Sequence, residues 1–136
     1  MTQSKITIMI TQVTSGIKVS VETFYQPSQS NPLHSHFLFA YRITIENTCE
    51  YAVQLIRRHW YIFDSNGIKS EVEGEGVIGE QPIIEPGNTY KYVSGCNLTS
   101  EIGKMRGTYL FEKKTDKSSF LVEIPAFTME VPGKLN

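Results

Sequence analysis

Apolar and polar residues alternate with period two along nearly the whole chain, and clusters of Gly, Pro and Asn interrupt the pattern at short intervals. Ile6, Ile8 and Ile10 alternate with Thr7, Met9 and Thr11. After Ser15-Gly16 the pattern restarts as Ile17, Val19 and Val21 against Lys18, Ser20 and Glu22. These predict the first two strands. Phe37, Phe39, Tyr41, Ile43 and Ile45 give the cleanest apolar face, opposite Arg42, Thr44 and Glu46, and predict a central strand. A further strand from Val53 to Asp64 ends in Asp64-Ser65-Asn66-Gly67, where Asn-Gly supplies the positive φ of a tight hairpin, and Ile68 to Gly74 returns. Glu85 to Asn88 reads as a turn and Thr89 to Gly95 as a strand. Met105 to Glu112 and Ser118 to Ile124 form a hairpin over the charged tip Lys113 to Lys117. Pro125 is expected to break or bulge the last strand before Phe127, Met129 and Val131, because proline cannot donate to a ladder. One helical turn is expected over Asn97 to Gly103, capped by Asn97 or Thr99. Gln26 to Ser35, carrying Pro27 and Pro32, reads as a surface loop. Without any sustained helical period, the pattern predicts an all-β fold. Its expected form is a two-sheet antiparallel β-sandwich of immunoglobulin or fibronectin type III kind.

Composition points the same way, with Ile 14, Val 9, Thr 12 and fifteen aromatics against Ala 3 and Leu 7. A length of 136 residues suits a single domain over 1–136. Thirteen basic and fourteen acidic residues leave a net charge of −1, so no bulk field draws the protein onto nucleic acid. The longest apolar run, Phe37 to Tyr41, is five residues, far too short for membrane insertion. The amino-terminal segment has no secretory pattern, and a cytoplasmic location is the expectation. There, Cys49 and Cys96 are expected as plain thiols.

Within Val53 to Asp64 the alternation contradicts itself. Val53 and Leu55 claim one face, while Trp60 and Ile62 fall on the opposite parity. A β-bulge near Arg57 to His59 reconciles them by adding one residue and flipping the side chains that follow. Two readings of Arg57-Arg58-His59 then stand side by side. In one, the three residues present an anion site; in the other, Trp60 is a core residue and one arginine pairs with Glu46 or another carboxylate.

Gly74-Glu75-Gly76-Val77-Ile78-Gly79 matches G-x-G-x-x-G, which in dinucleotide-binding folds brings backbone up to a pyrophosphate at a helix N-terminus. Pro82 and Pro86 leave little room for such a helix, so a pyrophosphate site here needs a nest of N–H groups with Arg57 or Arg58 folded over it. The other reading is a glycine-rich connection between sheets. His34 and His36 would share a face at strand spacing and are weak candidates for a cobalt or zinc site, two ligands being too few alone. Glu71, Glu73 and Glu75 alternate as on a solvated sheet face. No nucleophile elbow or Walker lysine is present, and the chain is read as non-enzymatic and without a cofactor.

Phe39 to Asn47, Gln54 to Trp60, Val72 to Pro82, Pro86-Gly87, Tyr92 to Gly95, Gly103 to Gly107 and Ile124 to Phe127, taken in order, resemble the ApaG family over about Ile17 to Pro132. That resemblance implies a fibronectin-type sandwich. It also implies that Gly74, Gly76, Gly79 and Arg58, His59, Trp60 are family features. Bacterial members are associated with cobalt resistance and magnesium efflux, and related domains in eukaryotic F-box proteins suggest an interaction module. Since this chain has no span, an efflux role would be indirect. The resulting expectation is a module that binds an unidentified protein partner or a small anionic ligand, with homodimerisation through strand edges as a further option. Nucleotide binding by Gly74 to Gly79 and metal binding by His34 and His36 are the alternatives.

Overall fold

A computed structural model describes residues 8–133, which form nine strands: β1 (Ile10–Thr14), β2 (Ile17–Tyr25), β3 (Phe37–Asn47), β4 (Val53–Asp64), β5 (Lys69–Glu75), β6 (Ile83–Ile84), β7 (Thr89–Leu98), β8 (Ile102–Lys113) and β9 (Ser119–Glu130). One sheet has the order β1-β2-β3-β7. The other runs β5-β4-β8-β9, with β6 beside the start of β4, and every pairing is antiparallel. The two pack face to face as the predicted sandwich. Taking β2, β3 and β7 as strands A, B and E, and β4, β8 and β9 as C, F and G, gives the immunoglobulin-type order with β1 added at one edge.

The alternation explains the core directly. Ile17, Val19 and Val21 of β2 and Phe37, Phe39, Tyr41, Ile43 and Ile45 of β3 face Leu55, Trp60, Met105, Tyr109, Phe111 and Val122 across the interface, all buried. Trp60 sits edge-on to Tyr41 (centroids 5.4 Å) and to Phe127 (5.9 Å). Its ring has room because Gly107 lies opposite on β8, where a Cβ would come within 3.1 Å of the ring and 2.3 Å of the His59 carbonyl oxygen.

Pro125 bulges β9 without ending it. Met105 pairs with Phe127 and Gly107 with Ile124, so β9 spends one more residue than β8 there. Three expectations need correction. The first strand begins at Ile10; Ile6 and Thr7 lie outside the described residues, while Ile8 and Met9 are exposed. Asn97 to Gly103 is not a helical turn: β7 runs on to Leu98 and β8 starts at Ile102, because Leu98 is buried as an ordinary inward strand residue. At Asp64-Ser65-Asn66-Gly67 only Gly67 has positive φ (+94°), its N–H donating to Asp64 O at 2.9 Å.

The sandwich closes on one side and is open on the other. β9 lies against β1 and β2, with Glu123 N–H donating to Thr14 Oγ1 at 3.2 Å. On the opposite side the edges are β5 and β7, and neither has a second strand neighbour among the described residues.

Candidate functional site

The expected bulge is present one residue early. Leu55 pairs with Phe111 and Arg57 with Leu110, so the extra residue is Ile56, and the ladder through Arg57, Arg58 and His59 is regular. Leu55 and Trp60 both point inward, and an insertion at Ile56 lets them do so. Its consequence is chemical, because the regular ladder from Arg57 to Trp60 places Arg58 on the face opposite Arg57 and His59.

Arg57 and His59 point out of the sandwich. Arg57 meets Glu73 at 3.7 Å and His59 meets Glu71 at 3.4 Å, on the solvated face expected for the glutamate row. His59 also stacks on Tyr61 (4.4 Å), and the Arg106 guanidinium covers the same ring at 4.5 Å. Glu46 pairs with neither arginine. Arg58 instead shares the inward parity of Trp60 and Ile62. Its Nη1 donates to Glu75 O at 3.0 Å and to Gly76 O at 2.9 Å.

The glycine stretch is built around that arginine. Gly74 is opposite Arg58, and a Cβ there would press on Nη1 at 3.1 Å and Nη2 at 3.2 Å. Gly76 has φ +59°, and its Cβ would fall 2.0 Å from Glu80 O. Gly76 N–H donates to Ile56 O at 2.7 Å, and Gln81 Nε2 donates to the same carbonyl at 2.9 Å. Val77 and Glu80 exchange N–H···O bonds (2.8 and 2.9 Å) across a two-residue turn in which Ile78 and Gly79 both have positive φ. So the stretch is a hairpin turn with Val77 plugged into the core. No helix follows it, and the Gly76, Val77 and Glu80 amides already have carbonyl partners.

Between the sheets at the open β5/β7 margin lies a cavity of about 260 Å³, lined by Tyr41, Trp60, Ile62, Val72 and Met105 together with Arg58 and Ser94 to Asn97. Burial, with weaker contributions from its neighbours, pushes the Tyr41 hydroxyl above its ordinary value, although a bond to Ser94 opposes it. Burial also pushes the Cys96 thiol up to about 11. The buried hydroxyls of Tyr92 and Tyr109 bond each other in the core, and burial raises both. These groups are therefore neutral at pH 7 and offer Arg58 no countercharge.

His34 ends a short 3-10 turn and Ser35 is left-handed (φ +56°), so His34 and His36 do not have strand spacing; both are exposed. Among the described residues no three His, Cys, Asp or Glu side chains are grouped to hold a metal ion. Cys49 and Cys96 are free thiols. No helix is long and apolar enough to cross a membrane among the described residues.

The β7 edge was not singled out from the sequence. Asn47 N–H donates to Asn88 O (3.0 Å), and on the other side of β3 Gln26 N–H donates to Leu38 O (2.9 Å). This parity turns odd-numbered β3 residues toward β7 and even ones toward β2. Thr89, Lys91, Val93, Gly95 and Asn97 consequently direct their main-chain N–H and C=O groups away from β3, along the open margin. The signal was present in the ten-residue segment itself, which carries one charge, Lys91, and no proline.

The family model described as the ApaG domain matches residues 27–113. Protein ApaG of Brucella canis is 48% identical over 124 residues, covering 91% of this chain and 95% of the relative. Protein ApaG of Sinorhizobium fredii is 47% identical over 125 residues, covering 92% and 95%. A crystal structure of the ApaA protein of Bordetella pertussis superposes with TM-score 0.83 at 42% identity, covering 87% of this chain and 95% of that one.

Proposed function

This chain belongs to the ApaG family, and from that premise we propose that it is a non-enzymatic cytoplasmic docking module that takes an extended segment of a partner protein as an added strand along β7. The observation that carries the reading is the row of outward main-chain groups at Thr89, Lys91, Val93, Gly95 and Asn97, beside which no strand lies among the described residues. A solvent-facing edge of this length is ordinarily blunted by charge, proline or a covering element. β5, the other edge of the same margin, is blunted in that way by Lys69, Glu71, Glu73 and Glu75. β7 carries a single such charge, Lys91, and strand addition would satisfy its N–H and C=O groups while leaving specificity to the alternate side chains Lys91 and Val93. A second copy offering its own β7 is the homodimeric form of the same contact. Any link to cobalt or magnesium handling runs, in this reading, through the partner.

The test is amide hydrogen exchange on peptides selected for binding from an extended-peptide library. Bound peptide should protect the Lys91, Val93, Gly95 and Asn97 amides, and leave the even-numbered amides of β7, already bonded to β3, nearly unchanged. Val93→Pro removes an outward donor without touching the β3 ladder and should abolish binding. Selected peptides that leave the odd-numbered amides exchanging at their free rate would overturn the reading.

A further inference from the structure

The cavity at the β5/β7 margin has a chemistry separate from that of the edge. Arg58 uses Nη1 on the carbonyls of Glu75 and Gly76, and its Nε–H and both Nη2 hydrogens have no protein acceptor among the described residues. Among the described residues no side-chain nitrogen or oxygen is both sealed off and without a partner, so those three donors reach open space. Arg58 forms no ion pair among the described residues, whereas Arg42, Arg57, His59 and Lys114 each meet a glutamate. Two fixed carbonyls hold the guanidinium in place, and its Nε/Nη2 side is the fork that receives a carboxylate through two parallel bonds.

We infer that this cavity binds the carboxylate of a small apolar acid, with Arg58 as the anchoring donor. Three observations narrow the ligand. Most of the lining side chains are apolar or aromatic, Tyr41, Trp60, Ile62, Val72 and Met105 among them, with Ser94 and Asn97 the uncharged polar ones, so the body of the ligand is mainly apolar. A volume of about 260 Å³ lies below the ~300–1,000 Å³ of drug-sized sites, so the ligand is small. Among the described residues Arg58 is the one cation lining the space, since Arg57, His59 and Arg106 belong to the outer face of the sheet. One guanidinium matches one negative charge, which favours a carboxylate over a phosphate dianion. The inference does not depend on strand addition at β7.

The protein carries its own reporter, since Trp60 is the only tryptophan and forms part of the wall. Titrating benzoate or hexanoate into the full chain should change its fluorescence saturably, and benzamide and hexanamide should not. In two-dimensional NMR of the unmodified protein the shifted amides should cluster at Arg58, Trp60 and Ser94 to Asn97. Arg58→Lys keeps the charge and one donor to the carbonyls but loses the fork, and should weaken benzoate by about tenfold or more in calorimetry. The inference is overturned if the acids give no saturable signal up to about 10 mM, a Kd worth only ~3 kcal/mol. It is equally overturned if amides bind as well as acids, if the shifts map to the outer face around Tyr61, or if folded Arg58→Lys binds as tightly as the parent. Because the NMR map uses the unmodified chain, it decides the matter even where the variant does not fold.

Discussion

Deleting Ile56 would remove the residue that lets two incompatible parities coexist in β4. A regular ladder would then have to turn either Val53 and Leu55 or Trp60 and the residues after it to the wrong face. Val53 and Leu55 are both fully buried, and exposing them costs about 1.5–3 kcal/mol each, or roughly 3–6 kcal/mol together. Trp60 is 2% exposed. A tryptophan hides ~150–250 Å², and at ~25 cal/mol/Å² its exposure costs roughly 4–6 kcal/mol. Either route therefore removes between about a fifth and all of the ~5–15 kcal/mol that stabilises a domain. Ile56→Ala keeps the residue count, and because Ile56 is only half-buried it should cost no more than about 1.5 kcal/mol. Urea unfolding followed by Trp60 fluorescence compares the two. Expected is a deletion that is unfolded or has a much lower midpoint, next to an alanine variant close to the parent; a red-shifted native emission would show that Trp60 is the residue that turned out. A deletion no more costly than Ile56→Ala would refute the claim that residue count at this position sets the parity.

Two further outcomes separate roles that look alike in the sequence. Gly76→Ala should cost about 2–4 kcal/mol, because the new Cβ meets the Glu80 carbonyl at a left-handed position, whereas Gly79→Ala, with nothing within 4 Å, should cost only about 1 kcal/mol of backbone strain; equal denaturant midpoints for the two would contradict the loop geometry. Asp64 should be a source of acid sensitivity: partial burial pushes its carboxyl up, but donors from Ser100, Thr99 and Ser65 outweigh that and hold it below its ordinary value. A lowered folded pKa gives stability that is present above the unfolded value of ~3.9 and is lost as pH falls through the folded one. Asp64→Asn should therefore lower the urea midpoint at neutral pH and differ less from the parent near pH 3, and an undiminished gap at low pH would refute it.

The sandwich was legible because its faces are clean. Phe37 to Ile45 and Ile17 to Val21 could be assigned to the core without knowing any partner strand, and the parity break in Val53 to Asp64 announced a bulge. The bulge's position was not legible to one residue, since Ile56, Arg57 or Arg58 as the extra residue each repairs the alternation. What decides it is tertiary: Ile56 O is the carbonyl that Gly76 N–H and Gln81 Nε2 reach. The helical turn at Asn97 failed for the converse reason. Its capping residues are real, but Thr99 N–H and Oγ1 donate to Asp64 from the neighbouring hairpin, both at 2.7 Å, and so tie the β7–β8 turn to the end of β4. Local capping chemistry was satisfied by a distant carboxylate.

What decides the meaning of the chain's two most suggestive motifs is that the extra residue lies before Arg58. Were Arg58 itself the extra residue, it would leave the inward row of Trp60 and Ile62, and the glycines would stand without a partner from β4. With the extra residue at Ile56, Arg58 alone turns inward and spends Nη1 on Glu75 O and Gly76 O, while Gly76 spends its N–H on the bulge itself. The motifs thus become halves of one structure: the arginine neutralises carbonyls the glycine turn exposes, and the missing Cβ atoms at Gly74 and Gly76 make the approach sterically possible. In a dinucleotide fold the glycines let a ligand's phosphates approach backbone N–H groups. Here they let a side chain of the same protein approach backbone C=O groups, which is the opposite polarity. A pattern of glycines records only that something comes close, and the charge of the visitor has to be read from which end of the peptide it meets.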